Sequence, residues 1–470
     1  MKMAPVKLRS LLQIFLLSIF LSLGCFASDL DQKIGRIIAS TGEDLNVGIY
    51  IKNLNDEEVK FASHENRKFV PASTTKLFTV YAGLKYLGNN FKYITSISAD
   101  NLVKGSASDG NIYIQFSGDP TLSYNDIKHM LRHVGVKEIK GNLVINDYLF
   151  DHHRTSPGGF GWDDQPFCYA APKSAIIIDG NCSEAKMWPS KISGRKANLE
   201  IVNPSLLNIS NNVDTVKPSR KECPYKSRYI GDNSYEVYGC MFQDIKRPVR
   251  LNFALQDNRL MAKAYFEKAL KEIGMKISGR ITFSNASGKN VLYTHKSAPL
   301  RDVIVPLLHD SLNPDASSLF KYMGYKYTRQ QGSDETGENM MNKFLRKSGL
   351  KNGVRLKDGS GESRYNLITP KALVLLLDKA YKSDVRDSFL SAIPQYGSKG
   401  TLRYRSIDSR FRRDVRAKTG SMKNTSSLAG YYLPSHSQKY AFAIMINGHG
   451  LSPYRIREME DKILNIILSN

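Results

Sequence analysis

The chain has 470 residues, a formal charge of +23, 41% hydrophobic residues and 24% charged residues. These are globular proportions, and they exclude a disordered tail protein or a collagen-like fibre. The length allows about three domains, and no internal repeat marks a solenoid or propeller.

Residues 1–9 carry Lys2, Lys7 and Arg9 and no acid, and residues 11–23 are apolar apart from Gln13, Ser18 and Ser22. Gly24, Cys25, Phe26 and Ala27 follow, with small residues at a cleavage point. This order predicts a secretory signal peptide over residues 1–27, cut near Ala27, and hence a periplasmic protein. The apolar stretch is short for a membrane anchor. Cys25 raises a lipoprotein alternative, which Ser22 and Leu23 fit poorly. The remaining cysteines are Cys168, Cys182, Cys223 and Cys240. An even number in an exported chain predicts two disulfides; three pairings exist, and the short loops 168–182 and 223–240 are favoured. No Cys-x-x-Cys occurs, so none has zinc-ligand spacing. The basic excess favours polyanions, but Lys and Arg are scattered and no nucleic-acid motif is present. In an exported chain the expected anions are those of the cell envelope, reached by peripheral association with the sacculus or membrane and not by binding nucleic acid.

In chain order, residues 45–53 alternate Val47, Ile49 and Ile51, which predicts a strand, and residues 59–62 can pair with it. Pro71 and Ala72 lead into a helix over 73–87 closed by Gly88. Residues 91–289 change texture to short strands, Gly/Asn/Pro turns and all four later cysteines, with an amphipathic helix at 260–273. His129 and His133 share a helix face but have no third ligand nearby. Helices return near residue 300 and at 316–327, 338–347 and 370–381. Strands at 414–420, 427–433 and 440–447 precede a last helix at 454–468. The order predicts an α+β fold in which 28–90 and 290–470 form one discontinuous domain. Residues 91–289 are then a β-rich insertion with room for two subdomains.

Three motifs carry chemistry. Ser73-Thr74-Thr75-Lys76 puts a hydroxyl and an amine on one helix face, and a neutral amine can take the serine proton. The same spacing at Ser183/Lys186, Ser193/Lys196, Ser318/Lys321 and Ser348/Lys351 makes the motif weak alone. Ser311-Leu312-Asn313 precedes Pro314 and a helix. Lys418-Thr419-Gly420-Ser421 ends a strand, where the glycine permits close backbone approach. Their order, each on the required kind of element, is the signature of penicillin-interacting serine enzymes. No Glu-x-x-Leu-Asn occurs between the first two, so the usual β-lactamase deacylation glutamate is missing.

Further segments extend the match: 116–122 (FSGDPTL), 162–164 (WDD), 169–172 (YAAP), 358–361 (DGSG) and 397–402 (GSKGTL). Together they resemble the class C low-molecular-mass penicillin-binding proteins, the penicillin-binding protein 4-type D-alanyl-D-alanine carboxypeptidases and endopeptidases. The resemblance runs from about residue 47 to the end. One departure is Glu362, where an apolar residue is expected.

The resemblance implies a penicillin-binding, serine β-lactamase-like domain, an antiparallel sheet flanked by helices. It implies that Ser73 attacks the carbonyl between the terminal D-alanines of a peptidoglycan stem peptide while Lys76 takes its proton. That requires Lys76 to fall from about 10.4 to about 7–8 through burial and a second cation, for which Lys418 is the candidate. Ser311 relays the proton to the leaving amine, Asn313 holds the peptide amide or the Lys76 amine, and the N–H groups of Ser73 and Ser421 form the oxyanion hole. Lys418, Thr419, Gly420 and Ser421 hold the terminal carboxylate, and Asp164 is the candidate partner for the free amine of a diamino acid. β-Lactams acylate the same serine. No metal or organic cofactor is required. The rivals are a β-lactamase-like hydrolase, a catalytically silent envelope-binding protein and a basic nucleic-acid binder.

Overall fold

The computed structural model describes residues 29–101, 107–152 and 158–469, and the expected signal peptide lies outside them. Helix α1 (Asp29–Ala39) leads into strands β1 (Asn46–Asn53) and β2 (Val59–Ser63) and helix α2 (Thr75–Leu87). After the insertion come α3 (Leu300–His309), α4 (Asn313–Thr328) and α5 (Pro370–Tyr381), then β3 (Val415–Met422), β4 (Thr425–Tyr432), β5 (Tyr440–Asn447) and α6 (Pro453–Ser469). The strands make one antiparallel sheet in the order β3-β4-β5-β1-β2.

Side chains on a strand alternate between faces, and β5 shows what that does here. Phe442, Ile444 and Ile446 join Ile49, Ile51, Ile456 and Ile463 in one core. Ala441, Ala443 and Met445 join Leu77, Phe78, Leu373 and Leu377 in another. The sheet therefore has helices on both faces, α1 and α6 on one, α2 and α5 on the other. Helix α2 is buried from Thr75 to Leu84 with no polar stripe, as a helix between the sheet and other helices must be.

A third core, running from Ile97 to Met275, belongs to the insertion. Its largest sheet is mixed, with strands 281–283, 143–146, 112–115, 94–99 and 290–296 in that order. Asn290–Lys296 pairs antiparallel with Ile94–Ala99, nearly two hundred residues earlier, and helix α3 begins at Leu300. A pairing between strands so distant in sequence leaves no local sign.

The bridges Cys168–Cys182 and Cys223–Cys240 both form, with Cα atoms 5.3 Å apart in each. The helix Asn258–Ile273 is capped by Asp257 and stopped by left-handed Gly274. The His129 and His133 rings lie 4.0 Å apart, tilted by 38°, and both contact Tyr293; no metal-ligating cluster occurs among the described residues.

Candidate active site

Ser73 sits on a short 3-10 turn, Ala72–Thr74, that feeds α2, so the Ser-x-x-Lys pair spans a tightened first turn. The turn is held from below. Thr74 and Ser427 hydroxyls both donate to the Pro71 carbonyl, at 2.8 and 2.6 Å. Strand β3 passes over it, and a Cβ on Gly420 would lie 2.5 Å from the Pro71 oxygen and 2.3 Å from Ser427 Oγ. Only glycine lets the strand come this close.

Lys76 is fully buried. Its Nζ reaches Ser73 Oγ at 2.9 Å, Asn313 Oδ1 at 2.5 Å and the Ser360 carbonyl at 2.6 Å. Three acceptors satisfy an ammonium. When the amine is neutral, two of them keep its N–H groups and its lone pair is left to accept from the Ser73 hydroxyl. Burial lowers the pKa of Lys76 to about 8; Glu362 and Asp358 push it back up, Lys173 adds to the lowering, and Asp315 opposes it.

On the strand side, Lys418 is also fully buried and donates to Ser311 Oγ and to the Thr419 carbonyl, both at 2.9 Å. Burial holds its pKa well below the usual lysine value, the Lys76 charge lowers it further, and Asp310 opposes. Ser311 stands in the left-handed region at φ 61°, in the tight link between α3 and α4. Asn313 begins α4 and is turned both ways. Its Oδ1 accepts from Lys76, and its Nδ2 donates to the Tyr169 carbonyl of the insertion at 3.0 Å. Thr419 Oγ1 donates to Thr401 Oγ1 at 2.8 Å.

Ser73, Ser311, Asn313, Glu362, Thr419, Ser421 and Asp164 all line one cleft of about 440 Å3. Lys76 and Lys418 stand just behind its wall, each hydrogen-bonded to a lining serine, and Gly420 is the β3 residue packed against the Pro71–Ser73 turn. Asp164 is half-buried and accepts from the Tyr169 hydroxyl at 2.7 Å. Strand β3 is an edge strand whose outer side carries the isolated bridge Gln395–Arg416, so its cleft end can take up an extended peptide.

Sequence reasoning missed several groups. The Ser360 carbonyl is backbone and has no side-chain signal. It is set by Asp358, whose carboxylate accepts from the Gly361 and Ser363 N–H groups and from Asn366. Asp315, in the first turn of α4, is buried, and burial pushes its carboxyl up to about 7. Glu362 is matched by Lys173, 3.0 Å away and equally buried, and Ser360 Oγ donates to Glu362 at 2.9 Å. The departure from an apolar residue is thus half of an ion pair. Burial works against the Lys173 cation, but Glu362, Asp334 and Asp358 outweigh it and hold its pKa up. The decoy pair Ser318/Lys321 is structural: Lys321 binds Asp151 at 2.6 Å and Ser318 binds the Gly118 carbonyl.

Residues 30–467 match the D-Ala-D-Ala carboxypeptidase 3 (S13) family. The chain belongs to that family. It is 30% identical over 449 residues to the D-alanyl-D-alanine carboxypeptidase DacB of Haemophilus influenzae, covering 93% of this chain and 91% of that one. It is 28% identical over 457 residues to the D-alanyl-D-alanine carboxypeptidase of an Actinomadura species, covering 93% and 84%. The crystal structure of penicillin binding protein 4 from Haemophilus influenzae superposes with a TM-score of 0.83 at 28% identity, covering 94% of this chain and 98% of that one. The same protein with a bound β-lactam gives 0.78 at 26% identity, covering 93% and 98%. The S13 family membership and these superpositions agree with the α+β, β-lactamase-like architecture read from the chain.

Proposed function

We propose that this S13 family member is a serine D-Ala-D-Ala carboxypeptidase and endopeptidase of peptidoglycan, working through an acyl-enzyme on Ser73. The observation that carries the reading is the 2.9 Å contact between Ser73 Oγ and a fully buried Lys76 whose pKa is lowered to about 8. A base is most effective when its pKa lies near the working pH.

In this mechanism the Ser73 proton passes to Lys76 Nζ as Oγ bonds to the carbonyl carbon between the two terminal D-alanines. The N–H groups of Ser73 and Ser421 receive the oxyanion. The C–N bond breaks as Ser311 relays to the departing amine the proton that Lys76 took from Ser73, giving up its own hydroxyl proton and receiving that one, so Lys76 is neutral again; Lys418 donates to Ser311 Oγ and leaves that hydroxyl hydrogen free to point into the cleft. Asn313 holds Lys76 in place. Lys418, Thr419, Gly420 and Ser421 receive the terminal carboxylate, and Asp164 pairs with the free amine of a diamino acid in the stem. Water then adds to the ester carbon, and Ser73 leaves with its proton restored. β-Lactams acylate Ser73 by the same first step.

The catalytic unit is residues 28–90 with the segment that follows the insertion. The protein acts in the periplasm after loss of residues 1–27; two disulfides suit that oxidising compartment. Its basic surface holds it to the sacculus or to the anionic face of the membrane.

Incubating the enzyme with a stem pentapeptide and with cross-linked muropeptides, and weighing the products, tests the reading. Loss of one alanine from the pentapeptide, or conversion of dimers to monomers, supports it and ranks the two activities. No release from either overturns it. A penicillin adduct that clears rapidly would favour the β-lactamase alternative.

A further inference from the structure

Beside the catalytic cleft lies a larger groove of about 830 Å3. The two share Asp163 and Tyr169 in their walls, so a ligand can run from one into the other. The groove carries aromatic rings that are open to water. Trp162 is 78% exposed, Phe167 41% and Tyr238 38%. Phe167 and Tyr169 lie parallel, 5.5 Å between centroids and 14° between planes, on a turn clamped by the Cys168–Cys182 bridge. A cluster of uncovered rings on a protein surface marks a binding site, and here a disulfide bridges the turn that carries two of them.

Beside these rings the lining is basic: Lys226 is the cross-strand partner of Tyr238, and Arg228 lies over the Tyr238 ring at 5.7 Å. Lys226 and Arg228 come from the strand Tyr225–Gly231, and Arg250 from the strand Val249–Ala254. Both are edge strands. Glu236 pairs with Arg228 and Glu184 approaches Arg250 at 3.9 Å, whereas no ion pair engages Lys226 among the described residues.

We propose that this groove binds the glycan portion of a peptidoglycan strand, an N-acetylated disaccharide still joined to the stem peptide whose end occupies the cleft. The proposal rests on the peptidoglycan reading of the cleft and adds a sugar subsite to it. Pyranose rings present flat C–H faces that stack on aromatic rings, with hydroxyl groups at the edge for polar neighbours. Carboxylates on the attached and adjoining peptides meet Lys226, Arg228 and Arg250. A bare acidic peptide would use the cations and leave the Trp162 and Phe167 faces wet.

Trp162 supplies the readout, since the chain holds two tryptophans, Trp162 and Trp188. The full chain is titrated with disaccharide-tetrapeptide and with the free tetrapeptide while tryptophan emission is recorded. The sugar-bearing fragment should bind about tenfold more tightly, through a response kept in Trp188→Phe and lost in Trp162→Phe. In a second arm, Tyr238→Ala should lower kcat/KM on disaccharide-pentapeptide about tenfold and leave the free pentapeptide unchanged. Equal affinity for the two fragments, no emission change, or equal losses on both substrates would each overturn the proposal. If the enzyme releases no D-alanine from either substrate while the emission still saturates with the sugar fragment, the reaction reading fails and the sugar site stands.

Discussion

The two walls of the cleft each bury a lysine completely, and the two amines differ in what surrounds them. On the helix wall, Lys76 has three acceptors and feels the acids Glu362, Asp358 and Asp315, so burial takes it only to about 8. On the strand wall, Lys418 has two acceptors and only Asp310 opposing, and it falls well below the ordinary range. Burial alone does not set a function; the local balance of charge does. Lys76 is poised to take and return a proton near neutrality. Lys418 has only Asp310 to favour its charge, and on the proposed reading a substrate carboxylate adds a second anion that raises its pKa.

The comparison breaks most sharply at the hydroxyl that Lys76 serves. Ser73→Ala should abolish covalent labelling by radioactive or fluorescent penicillin, and surviving label would place the nucleophile elsewhere. Next, Lys76→Met should slow acylation by about 10²–10⁴-fold, the usual worth of a general base, measured by single-turnover labelling at pH 8. A near-wild-type rate would remove Lys76 from that role.

Lys418→Met should act on binding. We expect kcat/KM for a peptide with a free C-terminal carboxylate to fall about tenfold to a hundredfold, mostly through KM. A C-terminal amide should be a poor substrate for the wild type and lose little more in the variant. A loss confined to kcat would instead make Lys418 part of the proton path.

The smallest effect concerns pH. The base must be neutral, so kcat/KM should rise with pH up to about 8 and fall about tenfold per unit below it. Glu362 is the leading charge that opposes deprotonation of Lys76, and Lys173 favours it. Glu362→Gln should therefore move the acidic limb to lower pH and Lys173→Met should move it to higher pH, with less than about a tenfold change in the plateau rate. Both variants need a thermal melt beside the pH profile, because breaking a buried pair also costs stability. Limbs that do not move would make Glu362–Lys173 a packing device alone.

Much of this site was legible in the chain because its motifs are short and local. Ser73 and Lys76 lie one turn apart, Ser311 and Asn313 flank one residue, and Lys418 to Ser421 are consecutive, so each fragment carries its own spacing. The catalytic strands were legible for a related reason: β1 and β5 are dense in apolar residues, and their ends fall where expected. What escaped was non-local. The strand Asn290–Lys296 finds its partner nearly two hundred residues earlier. Glu362 looked like an intruder until Lys173 stood beside it. The Ser360 carbonyl has no side chain to announce it.

By itself the sequence singled out the Ser73–Lys76 pair, the two partner motifs and the elements that bear them, since helix turns and strand ends impose fixed spacings on the residues they display. Only the tertiary structure decided how far each amine is discharged, which buried charges oppose one another, and that an aromatic groove opens into the cleft. Those properties depend on distances through space between segments far apart in the chain, and on the loss of water around them, neither of which any local pattern of residues records.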